Sequence, residues 1–114
     1  MDRVQTVEFV AAGSPRGVAR AIEACADEQR MLSALVVPWE SSRDALNIAV
    51  TSARKDGWAI EHTNLGTIRL TDLGDERTAV EITTDAANCA SDSRLARLFD
   101  EFSGQLRRRF EVRA

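Results

Sequence analysis

The sequence predicts one α+β domain with two layers, in which helices cover one face of a mostly antiparallel sheet of four to five strands. The main observation is the pattern within residues 57–84. This stretch contains three short runs in which apolar and polar side chains alternate, and turn-forming residues separate the runs. The second observation is that helical apolar patterns flank this stretch, since a sheet with one apolar face needs a cover. We therefore expect a single domain over residues 1–114, with the element order β-α-(β)-α-β-β-β-α and a long C-terminal helix.

The composition is that of an ordinary globular chain and argues against several kinds of protein. The net charge is −3 and the pI is about 5.2, so no basic surface for nucleic acid is expected. No apolar run approaches the roughly 18 residues that a membrane-spanning helix needs, and the first residues do not resemble a signal peptide. Two cysteines, Cys25 and Cys89, and one histidine do not make a Cys/His zinc site. These features predict a cytoplasmic protein without a transmembrane segment.

The first two predicted elements are a strand over residues 3–12 and a helix over residues 15–30. One face of the strand carries Val7, Phe9 and Ala11. Ser14 has the side chain of an N-cap, and Pro15 suits the first helical position, where its missing N–H costs nothing. Apolar residues then recur at three- and four-residue steps, and Cys25 lies among them. We expect Cys25 to pack in the core rather than to be a reactive thiol.

The middle of the chain is predicted to hold a short apolar segment and a second helix. Residues 34–38 are either a short strand or a packed loop, because the proline that ends the segment favours an extended chain before it. Trp39 follows, either as a core residue or as the lining of a cleft. The second helix is expected over residues 43–55, with Gly57 just after its end. Its inner face is formed by five residues, most of them small: Ala45, Leu46, Ala49, Ser52 and Ala53.

Three strands are predicted within residues 57–84, with turns at residues 64–66 and 73–76. The alternation gives each strand one distinct face, formed by Trp58, Ile60 and His62, by Gly66, Ile68 and Leu70, and by Thr78, Val80, Ile82 and Thr84. The opposite faces are expected to be solvated. There, an ion pair between Arg69 and Glu81 across two strands would contribute roughly a few tenths of a kcal/mol.

The chain is predicted to finish with a loop over residues 85–90, which holds Cys89, and a helix that Ser91 or Asp92 caps and that ends near residue 111. This helix has the most regular apolar stripe of the sequence, formed by Leu95, Leu98, Phe99, Phe102, Leu106 and Phe110. Four arginines gather at its C-terminal end, namely Arg107, Arg108, Arg109 and Arg113. They either complement the helix dipole or form a basic binding patch.

Three segments resemble parts of the START-like, polyketide-cyclase (SRPBCC) superfamily, whose members have a helix-grip fold. Residues 7–15, Val-Glu-Phe-Val-Ala-Ala-Gly-Ser-Pro, are similar to the first strand leading into a capped helix. Residues 66–82 are similar to the late hairpin of that fold, and residues 95–110 to its gripping helix. The chain is too short for the further strands that such domains usually have. The resemblance implies binding of a small hydrophobic ligand and carries over no catalytic residue.

Three hypotheses for function follow from these patterns. In the first, a non-enzymatic binding domain holds a small apolar ligand between the sheet and the last helix, in a site lined by Trp58, His62, Ile68, Leu70, Phe99 and Phe102. The alternative is a protein-interaction module, such as a homodimer, that uses an exposed sheet edge or helix stripe, because a small sheet leaves edges that need covering. The third is an enzyme that uses His62, the sole imidazole. The sequence contains no recognisable catalytic, cofactor or metal motif, so no catalytic residue, cofactor or metal is predicted.

Overall fold

The fold is an α+β arrangement of a five-stranded antiparallel sheet and three helices, which confirms the predicted class. The computed structural model describes residues 6–29, 31–38, 41–42 and 44–112, with only the backbone described at residues 54–56. The strand order across the sheet is β1-β5-β4-β3-β2. The elements in chain order are β1 (Thr6–Ala12), α1 (Pro15–Asp27), β2 (Leu32–Val36), β3 (Ala45–Asp56), β4 (Ala59–Gly74), β5 (Arg77–Thr84), α2 (Ala86–Ser91) and α3 (Ser93–Phe110).

The β1–α1 unit forms as the sequence predicts. The Ser14 hydroxyl accepts a hydrogen bond from the Gly17 N–H at 3.2 Å, and Pro15 opens the helix. Because Gly13 has a φ of +112°, it supplies the tight bend between strand and helix. The predicted burial of Cys25 on the apolar stripe of α1 is confirmed, since its side chain is only 3% exposed. Predictions for residues 3–5, Trp39 and Arg113 lie outside the described residues.

The predicted second helix over residues 43–55 is wrong, because residues 45–55 belong to strand β3 and residue 43 lies outside the described residues. Its alternate residues Ile48, Val50 and Ser52 are buried, which is the period of a strand rather than of a helix. The small residues fit either state locally, and pairing with β2 on one side and β4 on the other decides the outcome. Gly57, expected to follow a helix, instead lies in the turn between β3 and β4 with a φ of +61°.

The predicted turn at residues 64–66 is also wrong, because β4 continues through it as one strand of 16 residues. Val50 pairs with Gly66 while the next residue, Thr51, pairs with Asn64, so Leu65 is an extra residue that forms a β-bulge. A shift of one residue exchanges the two faces of a strand. Ile60 and His62 therefore lie on the opposite sheet face from Ile68 and Leu70.

The remaining predictions for the edge and the last third of the chain are confirmed in part. Residues 34–38, left as strand or loop, belong mostly to β2, which starts at Leu32. The predicted loop over residues 85–90 is mainly the short helix α2, which Asp85 caps through a 3.0 Å bond from the Asn88 N–H. Asp92 caps α3, as one of the two predicted alternatives.

The core lies between the sheet and the helices α1 and α3. From α3, Phe99, Phe102 and Leu106 are at most 1% exposed. A side chain at Gly66 would clash with the Phe99 ring and with the Thr83 carbonyl, so the glycine lets this ring pack directly on the sheet. The other sheet face carries no helix of the described chain and is polar at many positions.

Candidate interaction site

The six residues predicted to line a ligand site are divided between the core and the surface. Ile68, Leu70, Phe99 and Phe102 come together between the sheet and α3, where each is at most 1% exposed. Trp58 and His62 are exposed and lie in the hairpin arm, which we define as residues 57–62. The structure thus brings four of the six residues together as core packing and separates the other two. Ligand binding stays a prediction.

A polar network holds the bulge that puts His62 on the opposite sheet face from Ile68 and Leu70. The Asn64 side-chain N–H donates to the Asp85 carboxylate at 2.9 Å, and the Asp85 backbone N–H donates to the Leu65 carbonyl at 2.8 Å. The Asn88 side chain donates to the Asn64 carbonyl at 2.8 Å. Hydrogen bonds from the Asn88 backbone N–H and then from the Asn64 amide hold the pKa of Asp85 below its ordinary value. The cluster is therefore explained as a structural clamp on β4.

The cysteines and His62 are not assembled into a reactive group. Cys89 donates to the Leu65 carbonyl at 3.6 Å, and burial is the main reason that its pKa is raised, which keeps it a thiol. His62 lies opposite Ala53 across β3 and β4 and makes no hydrogen bond or ion pair to another described residue. Within the described residues, no three His, Cys, Asp or Glu side chains are placed to hold a metal ion.

The open face of the sheet carries the predicted Arg69–Glu81 pair. The two residues are cross-strand partners, as predicted, but their side chains are not among the described ion pairs within 4.0 Å. They border a shallow hollow of about 470 Å³ with Glu8, which lies opposite Glu81 on the next strand. Two like charges across from each other are unfavourable unless water screens them. We interpret this face as solvated.

The arginines at the end of α3 mostly have partners within the chain. The Arg107 Nε donates to Glu111 at 3.0 Å, and the Arg109 guanidinium donates to the Cys25 Sγ at 3.2 Å and lies 3.4 Å from Glu28. Arg107 and Arg109 are thus held by partners within the chain, which argues against a basic binding patch.

One edge of the sheet is covered by the chain itself. Beyond α3, Glu111 forms a β-bridge with Ala11 of β1, and the Val112 N–H donates to the Val10 carbonyl at 2.7 Å. Glu8 also places a charge on this strand. A covered and charged edge resists addition of a further strand.

The opposite edge has neither form of protection. We define the β2 edge as the side of residues 31–37 that faces away from β3, and no described strand pairs with it. These seven residues, Met-Leu-Ser-Ala-Leu-Val-Val, include no charged side chain. Leu35 is 65% exposed and Met31 is 51% exposed. An uncharged, apolar and unpaired edge strand is a template for another strand.

The hydrogen bonds to β3 show which backbone groups the β2 edge offers. The Val37 N–H donates to Asn47 and the Met31 carbonyl accepts from Ala53, so the odd-numbered residues of β2 point their backbone groups toward β3. The backbone groups of Ala34 and Val36 therefore point outward. Both backbone groups of Leu32 also point away from β3, and its N–H already donates to the Gln29 carbonyl at 3.2 Å.

Comparison of the chain with protein-family models, with curated proteins and with solved structures found no match. In the part of the chain that the structure describes, no helix is long and apolar enough to cross a membrane. The short apolar run at residues 34–38 was the sequence signal for β2, but the sequence did not show that the outer side of this strand would be unpaired.

Proposed function

We propose that this protein is a non-enzymatic interaction module that self-associates by adding β2 of a second copy to the β2 edge. The observation that supports this proposal is that β2 is an uncharged edge strand with no described partner on its outer side and with Leu35 exposed. Four outward backbone groups, the N–H and C=O of Ala34 and of Val36, are available for an added strand. Main-chain hydrogen bonds of this kind are the basis of strand-addition complexes.

A second copy fits this edge better than a charged partner does. The chain has a net charge of −3, so two copies repel each other weakly at long range, but residues 31–37 bring no charge into the contact. An edge that offers both donors and acceptors is self-complementary, and a twofold axis lets the same patch serve both copies. The strand has only five residues, so the interface belongs to the small, transient class, and we expect association in the micromolar range or weaker.

We also propose a cytoplasmic location for the protein. Cys25 and Cys89 are both free and buried, and they lie in different parts of the core. Free cysteines that are not paired in a disulfide are typical of a reducing compartment.

The test is sedimentation velocity over a wide concentration range with Leu35→Lys and a matched control. A lysine on an edge strand blocks pairing, so we expect the wild-type protein to form dimers at high concentration and Leu35→Lys to stay monomeric. The control is Ile60→Lys, because Ile60 is 62% exposed, close to the 65% of Leu35, but lies in the hairpin arm. Ile60→Lys should dimerise like the wild type. A wild type that is monomeric throughout, or equal dissociation in both variants, would refute the proposal.

A further inference from the structure

We infer that the two copies pair antiparallel about a twofold axis at Leu35, so that two five-stranded sheets join into one continuous sheet. This inference rests on the proposed self-association at the β2 edge and adds its register. Antiparallel pairing of one strand with itself is the arrangement that a twofold axis perpendicular to the sheet produces. The register then follows from the backbone groups that are free to pair and from the side chains that meet across the axis.

An axis at Leu35 pairs both backbone groups of Ala34 and of Val36, and it leaves the outward Leu32 carbonyl opposite Pro38, which has no N–H. In that register, Ala34 of each copy lies opposite Val36 of the other, and each of these pairs exchanges two N–H to C=O hydrogen bonds. Moving the axis to Ala34 leaves the Val36 carbonyl without a donor, because the Leu32 N–H already binds Gln29. Moving it to Val36 leaves the Ala34 carbonyl without a donor, because the residue opposite it is Pro38, which has no N–H.

The axis at Leu35 leaves the Leu32 carbonyl of each copy unpaired and the axis at Ala34 leaves the Val36 carbonyl unpaired, so the side chains decide between these two registers. The backbone groups of Leu35 point toward β3, so the two Leu35 residues form a non-hydrogen-bonded pair, in which the Cα atoms are about 4.5 Å apart and the side chains are closest. The two exposed leucines then cover each other on the open face of the joined sheet. On that face Ser33 of each copy lies opposite Val37 of the other, and no charged side chain from residues 31–37 is brought near another.

Disulfide cross-linking in the full chain tests the register. A cysteine pair at a Cα separation of about 4.5 Å is within the range for a disulfide. The native Cys25 and Cys89 are 3% and 7% exposed, so they contribute little background. Under mild oxidation we expect Leu35→Cys to give a cross-linked dimer on a non-reducing gel. Ser33→Cys should give little, because its two copies lie four residues apart along the paired strands in this register.

A second pair of variants tests the register with Leu35 intact. An equimolar mixture of Ser33→Cys and Val37→Cys should form the mixed disulfide, while each variant alone should not. Efficient cross-linking of Ser33→Cys alone, with no mixed product, would show a different register and overturn this inference. Because sedimentation of the wild type is measured separately, that result would leave self-association standing. A strictly monomeric wild type would overturn both.

Discussion

The two edge strands of the sheet, β1 and β2, differ in whether other residues of the described chain bond to their outer backbone groups. At β1, residues 111–112 return to the strand and take part of its outer edge through the bridge to Ala11 and the bond to Val10. At β2, no described segment returns, and the exposed side chain at the centre of the strand is a leucine. The comparison shows that this chain protects one edge by a contact between residues far apart in sequence. The other edge has no such cover from the described residues, and it is where we propose that a second copy pairs.

The two edges should affect different measurements. The β1 edge should affect the stability of the monomer, and the β2 edge the affinity between two copies. The cover on β1 is an intrachain contact, so its loss should lower the free energy of unfolding at any protein concentration. Pairing at the β2 edge involves a second copy, so its loss should change the assembly and leave the monomer intact. Variants that act on one edge and not on the other can therefore test the comparison directly.

The largest effect on stability is expected at the covered edge. Val112→Pro removes the N–H that donates to the Val10 carbonyl at 2.7 Å. Loss of one hydrogen bond of this kind should lower the free energy of unfolding by about 1 kcal/mol, as measured by urea denaturation. Val112→Ala is the control because it keeps the N–H. Equal losses in the two variants would show that the covering bond contributes nothing, and the contrast between the edges would lose its energetic basis.

A smaller effect is expected at the Asp85 clamp on β4, away from both edges. The pKa of Asp85 is held below its ordinary value of 3.8 in the folded protein. The carboxylate therefore contributes stability above the unfolded-state pKa, and this contribution is lost as the pH falls through the folded pKa.

Urea denaturation at neutral and strongly acidic pH, with Asp85→Asn beside the wild type, checks this contribution. The wild type should be more stable than Asp85→Asn at neutral pH, and the gap should close in acid. A gap that is the same at both pH values would show that Asp85 does not titrate as part of the clamp.

The smallest expected effect is that of salt on self-association. Because residues 31–37 carry no charge, the dissociation constant of the dimer should change little between low and high sodium chloride. The slight repulsion between copies of net charge −3 should weaken with salt, so any change should favour the dimer. A dimer that dissociates as salt is added would indicate attraction between charges, and hence a contact other than the β2 edge.

Local sequence signals predicted the ends of the chain better than its middle. Ser14, Pro15 and Asp92 mark helix starts through their own chemistry, and the stripe of α3 repeats at helical spacing, so α1 and α3 were placed correctly. The segment of β3 contains small residues that suit a helix or a strand, and only its partners on both sides decide between them. The bulge at Leu65 is set by Asp85 and Asn88, which lie about 20 residues later in the chain.

The candidate site was predictable as a kind of surface but not as a set of residues. A small sheet was expected to have edges that need covering, but residues 34–38 were left as strand or loop, so no edge residue was named. The exposed fraction of Leu35 depends on which strand ends the sheet, and strand order is a long-range property. The core position of Phe99 and Phe102 follows from the stripe of α3, whereas Trp58 and His62 lie in the hairpin arm, where residues on both sheet faces are exposed.

The strand order has a consequence for how the chain folds. The strands β2 to β5 each pair with the next strand in sequence, so they can form as successive local hairpins. The strand next to β1 is β5, so β1 is synthesised first but must close a loop of more than half the chain before it pairs. Closing so long a loop costs more chain entropy than forming a hairpin, and contacts of this kind slow folding. We therefore expect β1 to join the sheet last, and until it does the outer sides of both β5 and β2 are unpaired by another strand.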